Sequence, residues 1–151
     1  MGAIAEAQPI EAVERAIEAE FDALCEFSAR AAHLVALGRA LERLPAEACC
    51  EDNRVAGCQS LVWVVARADP ETRRLRVAAD SDSALMRGLL ALVLRLYDDR
   101  PPAEVLAHEP AVIDRLLTGR SLAPSRANGL HLVVRRVRAA ARDHLASGAA
   151  P

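Results

Sequence analysis

The chain has 151 residues, 52% of them apolar, enough to close one hydrophobic core and too few to build two independent domains. Its 19 Lys and Arg nearly cancel its 21 Asp and Glu, which argues against a protein that lives on nucleic acid or an anionic membrane and favours a protein or small-molecule partner. The longest apolar run, around Leu85 to Leu96, is broken by Arg87 and Arg95 well before the roughly 20 apolar residues of a bilayer span.

Met1 to Gln8 has no basic start, no apolar core and an early acid, so no secretory signal is expected and the chain is read as cytoplasmic. From Ile10, Val13, Ile17, Phe21 and Leu24 recur at steps of three and four, the stripe of an amphipathic helix that Pro9 opens. Ser28 is placed to cap a second helix, whose Leu34, Leu37, Leu41 and Leu44 repeat the pattern up to Pro45. The two helices predict a hairpin.

Between Asn53 and Asp80 the texture changes: Val55, then Leu61 to Val65, then Arg74 to Val77, with Asp69-Pro-Glu-Thr72 as a turn. This predicts a three-stranded antiparallel meander with Trp63 as a core or half-buried sheet residue. Ser81-Asp82-Ser83 supplies capping side chains for a buried helix from Ala84 to Tyr97. Pro101-Pro102 restarts the chain, Ala103 to Ala107 and Ala111 to Leu117 read as short helices, and Leu122 to Gly129 as a loop entering a helix. That last helix buries Leu130, Val133, Val134, Val137 and Ala141 and sends Arg135, Arg138 and Arg142 to solvent. The expected fold is α+β: one domain over residues 1–151, a small three-stranded sheet in one layer and several helices in the other, with frayed ends about 1–8 and 146–151.

Cys58 follows Gly57 at the junction of two predicted strands, where glycine permits conformations closed to other residues and so turns the next side chain outward. Gln59 and Ser60 beside it argue against the apolar core in which free cysteines are inert. Local sequence leaves a reactive thiol and a structural turn cysteine both open. Cys49 and Cys50 are candidates to resolve an oxidised Cys58 or are linker residues without a role; Cys25, beside Leu24, reads as packing. A metal site from Cys49, Cys50, Cys58 and His33 has poor spacing, and His108, His131 and His144 read as surface or helix-face residues.

The segment Arg54-Val-Ala-Gly-Cys-Gln-Ser-Leu-Val-Trp63 resembles the signature of the SufE family of sulfur-acceptor proteins. Asp80-Ser-Asp-Ser-Ala-Leu-Met-Arg-Gly-Leu89 and Leu122-Ala-Pro-Ser-Arg-Ala-Asn-Gly-Leu130 are similar to two further family elements, and Leu37-Gly38 closes a helix as in the family, so the likeness runs in order from about Phe21 to about Val137. The resemblance implies a SufE/IscU-like fold. It implies that Cys58 takes sulfane sulfur from the persulfide of a pyridoxal-phosphate cysteine desulfurase and delivers it to an iron-sulfur scaffold, the chain binding neither cofactor nor metal itself. Gly57, Gln59 and Ser60 would then form the supporting loop. Asp82 falls where the family faces the desulfurase, with helix capping as its other reading, and Arg126 where a guanidinium would stabilise a thiolate or persulfide anion, with a helix-start ion pair as the alternative. Such a chain acts as a sulfur-transfer partner and stimulator, monomeric or weakly dimeric, that shelters Cys58 when unbound. Other readings are a non-carrying desulfurase activator, a scaffold binding an iron-sulfur cluster or zinc, and a thiol peroxidase. Two departures stand out: Phe27-Ser-Ala-Arg30-Ala-Ala-His33 replaces an aromatic, acidic stretch, and Ala36 replaces an acid before Leu37-Gly38.

Overall fold

The computed structural model describes residues 8–57, 59–118 and 124–147, and at 116–118 and 124–126 the description extends to the backbone. Pro9, with φ fixed near −54°, leads into α1 (Ile10–Asp22), whose Ile10, Ile17 and Phe21 are buried as the stripe requires. The helix stops before Leu24, so Cys25 lies in the link to α2 (Phe27–Ala40) and is exposed. The expectation of a packed Cys25 is thereby corrected. The start of α2 is also earlier than Ser28: Glu26 occupies the cap position and makes no side-chain capping bond.

Two single turns of 3-10 helix, Ala46–Ala48 and Glu51–Asn53, carry the chain to β1 (Val62–Ala68). A tight turn leads to β2 (Leu75–Ser81), paired antiparallel with β1 so that Trp63 faces Asp80 and Val64 faces Ala79. Trp63 is half-buried. The described residues thus hold a two-stranded sheet, not three strands. The segment at Val55 is reduced to one bridge, Arg54 to Trp63, because the 3-10 turn ends at Asn53 and Gly57 takes φ +95°. Too few extended residues remain between them to form a ladder.

Ser83 caps α3 (Ala84–Tyr97), its hydroxyl accepting from the Met86 N–H at 3.3 Å. α3 is the central helix, with Met86, Leu89, Leu90, Leu92, Val93, Leu96 and Tyr97 buried. It packs on β2 and crosses α2 closely enough that a Cβ on Gly88 would lie 2.0 Å from the Leu34 carbonyl oxygen, and one on Gly38 2.8 Å from that of Ala84. Gly38 therefore serves helix contact within α2 and does not terminate it.

α4 (Pro102–Ala107), α5 (Ala111–Thr118) and α6 (Pro124–Ala146) complete the layer. α6 packs on β1 and α4 through Val133, Val134, Val137 and Ala141. Two sequence expectations are corrected here. His108 is buried, its Nε2 2.5 Å from Glu14 and its Nδ1 3.2 Å from the Tyr97 hydroxyl. Arg138 leaves the solvated face to donate to the carbonyls of Val105, Leu106 and His108, which end α4 and have no helical N–H to accept from. None of the helices in the described residues is long and apolar enough to cross a membrane.

Candidate functional site

The loop from Ala56 to Ser60 leaves the sheet between two fastened limbs. On one limb the Val55 N–H donates to the Val62 carbonyl at 2.8 Å. On the other, the Leu61 N–H donates to Asp82 Oδ1 at 2.9 Å, and the Asp82 N–H donates to the Leu61 carbonyl at 3.2 Å. Asp82 is exposed and follows directly on β2, so it extends the strand pairing by one rung through both its backbone and its carboxylate. It is not the helix cap; Ser83 is.

Gly57 and Gln59 are exposed and Ser60 is half-buried. At φ +95°, Gly57 occupies a region where an L side chain is strained, and a Cβ there would also come within 3.0 Å of Leu132 Cδ1 on α6. The positive φ favours glycine, and any side chain here would also need the Leu132 methyl to shift. Cys58 itself, and with it the expected sheltering of its thiol, lies outside the described residues. So do the Leu122–Ala123 start of the Pro-Ser-Arg element and the side chain of Arg126, while the backbone places Arg126 in the first turn of α6.

Sequence reading missed two residues that hold this loop. Leu132 stands close to Gly57, its Cδ1 3.0 Å from where a Cβ would lie, and Arg136, one helical turn later, donates through Nη1 to the Arg54 carbonyl at 3.1 Å and through Nη2 to the Asp52 carbonyl. Their i, i+4 spacing on α6 is the signal that was available. Asn53 adds a bond of 2.8 Å to the Ala48 carbonyl, which folds Cys49 to Asp52 into a closed turn.

Beneath the site lies a buried ion pair. Arg87 Nη1 meets Asp80 Oδ1, its Nε donates to the Gly38 carbonyl at 3.1 Å and its Nη2 to the Leu41 carbonyl at 2.6 Å. Asp80 Oδ2 accepts from the Leu44 N–H at 3.2 Å. The first acid of Asp80-Ser-Asp82 is thus structural, and the second clips the loop. Cys49 is half-buried, and burial, then Asp80, then Cys50 push its thiol pKa up. A raised pKa lowers the thiolate fraction on which attack by a resolving cysteine depends. His33 is engaged with Glu20 at 3.3 Å, and no cluster of three or more metal-ligating side chains occurs among the described residues.

The likeness to known proteins agrees with this layout. The family model described as SufE, Fe-S metabolism associated domain, matches residues 15–141. An uncharacterized SufE-like protein of Rhizobium etli is 33% identical over 131 residues, covering 85% of this chain and 88% of that protein. A solution structure of a hypothetical protein from Thermus thermophilus superposes with a TM-score of 0.67, covering 89% of this chain and 96% of the other at 20% identity, a likeness of fold. With a family match that spans the loop, the sheet and nearly all of α6, the chain belongs to the SufE family.

Proposed function

We propose that this protein is a sulfur carrier that accepts persulfide sulfur on Cys58 from a cysteine desulfurase and passes it on for iron-sulfur cluster assembly. The observation that carries the reading is the bracing on either side of Cys58 in a chain of this family: Val55 pairs with Val62 before it, Asp82 holds Leu61 after it, and the preceding Gly57 is exposed with positive φ.

The chemistry asks for little else. A thiolate on Cys58 attacks the outer sulfur of the donor persulfide, the donor leaves as its own thiolate, and Cys58 becomes the persulfide, with no net change of oxidation state. In this reading Asp82 braces the loop and stands on the desulfurase-facing surface, and Arg126, at the start of α6, supports the anion at Cys58. Pyridoxal phosphate belongs to the desulfurase. The carrier itself is cytoplasmic and needs no resident cofactor.

The test is to incubate the purified protein with a cysteine desulfurase and cysteine and weigh the intact chain. One added sulfur in the wild type that is absent in Cys58→Ser is expected. Sulfur that persists in the variant, or none in the wild type, overturns the proposal. Stimulation of the desulfurase that survives in Cys58→Ser, with no sulfur on the wild type, identifies a non-carrying activator instead.

A further inference from the structure

The edge of β2 that faces away from β1 is only partly paired. Leu75 turns its N–H outward to the Arg100 carbonyl at 2.7 Å and its carbonyl to the Asp99 N–H at 2.8 Å, and Val77 turns its N–H outward to Asp98 Oδ1 at 2.8 Å. Backbone direction alternates along an antiparallel strand, so Ala79, two residues further on, also points its N–H and carbonyl away from β1. Among the described residues nothing bonds to the Ala79 N–H, the Ala79 carbonyl or the Val77 carbonyl. Ala79 is 2% exposed and Val77 5%, and main-chain groups buried to that degree are almost always paired. Both residues line a groove of about 580 Å³ whose walls include Leu37 and Leu41 at the end of α2 and Ala91 and Leu94 of α3. At its mouth Arg76 is engaged with Asp98 and Asp99, and Arg95 with Glu20, whereas exposed Glu42 has no ion-pair partner among the described residues.

We propose that this groove docks an extended peptide segment of a partner protein, added antiparallel to the edge of β2, with small apolar side chains against its walls and a basic side chain at Glu42. One donor and two acceptors at strand spacing are complementary to another backbone: one peptide residue exchanges both bonds with Ala79, and the residue two further on donates to the Val77 carbonyl. Asp98 already holds the Val77 N–H, and Asp99 and Arg100 hold Leu75, so the added pairing is short. Because Ala79 is recessed between the helices, a single chain fits the groove better than the sheet edge of a second copy, whose neighbouring strand would meet the walls. The docking does not involve Cys58 and goes beyond sulfur carriage.

The experiment is a titration of the isotope-labelled full chain with the probe peptide acetyl-Ala-Val-Ala-Lys-amide, followed through amide chemical shifts. A saturable downfield move of the Ala79 amide proton is expected as it gains a hydrogen bond. The same peptide with its backbone amides N-methylated cannot donate and is expected to bind about tenfold more weakly, the loss of one or two hydrogen bonds. Glu42→Lys, a change at an exposed position, is expected to weaken the lysine peptide about threefold and to strengthen its glutamate counterpart by a similar factor. No saturable shift at Ala79, equal binding of the methylated peptide, or indifference to the charge swap overturns the proposal. So does an Ala79 shift that follows protein concentration without peptide, which assigns the edge to a second copy, or one produced by removing residues 1–7, which assigns it to the chain's own start. Cys58→Ser is expected to bind the peptide as wild type does, so failure here and failure of the sulfur-uptake test are read separately.

Discussion

Asp82 has two candidate duties, and a pair of substitutions separates them. Its Oδ1 accepts the Leu61 N–H, a duty that asparagine can perform equally well, whereas recognition by a cationic partner surface requires the charge. Asp82→Asn is expected to leave the Leu61 amide protected and Asp82→Ala to speed its hydrogen exchange about tenfold, in line with one lost hydrogen bond. If both variants also lose sulfur uptake, the charge faces the desulfurase; if only alanine does, the brace is what matters. Equal exchange in all three proteins removes the bracing role. The sequence made Asp82 visible through its motif and left helix capping open as its other reading, because three capping side chains in a row, Ser81, Asp82 and Ser83, do not say which one reaches the first turn of α3. The hydroxyl of Ser83 does. Arg136 stayed hidden for a related reason: a surface arginine whose partners are backbone carbonyls 82 and 84 positions away in the chain leaves no local trace.

At the scale of elements, α1, α2 and α3 meet through Glu20. Arg95 of α3 donates to both carboxylate oxygens, at 2.8 and 3.0 Å, and His33 of α2 stands 3.3 Å away. The hydrogen bond from Arg95 is the largest influence, burial opposes it and His33 adds to it, and the net effect holds the carboxyl below the ordinary carboxylate range. Because the folded value is the lower one, the stabilisation is complete above the ordinary range and is lost as pH falls from there through the folded value. Glu20→Gln is therefore expected to be less stable than wild type at neutral pH, with urea midpoints converging in acid; parallel curves at every pH would refute the linkage. The group is about a third exposed, so the effect is modest. The helix stripes of α1 and α3 were legible because burial follows the 3.6-residue period closely. The third strand was misread because a Val between polar neighbours and a glycine looks extended, while strand length depends on partners that periodicity does not contain.

Across the whole molecule, the Cys58 loop and the main stabilising network occupy different places. Glu14 of α1 and His108 after α4 are 94 positions apart and join the first helix to the last third of the chain. Burial pushes the Tyr97 phenol pKa upward, so its hydroxyl stays protonated; it lies 3.2 Å from His108 Nδ1, while Nε2 of the same ring lies 2.5 Å from Glu14. Arg115 of α5 donates to the other Glu14 oxygen at 3.2 Å, and Arg138 of α6 holds the His108 carbonyl. Every polar group in this chain of contacts thus has a partner only while five helices are docked together. Truncating His108 orphans a buried carboxylate oxygen and a buried phenol at once, whereas Tyr97→Phe removes one neutral donor. His108→Ala is expected to cost about 2–4 kcal/mol and Tyr97→Phe about 1 kcal/mol, with the double variant less destabilised than their sum because the two share one bond. Urea unfolding gives these values. Sulfur uptake by the folded fraction should be unchanged in all three variants, since none of these residues touches the loop or α6 at Leu132 and Arg136. Strict additivity would show that His108 and Tyr97 act independently, and a loss of uptake in fully folded protein would show that the loop depends on the helical network after all.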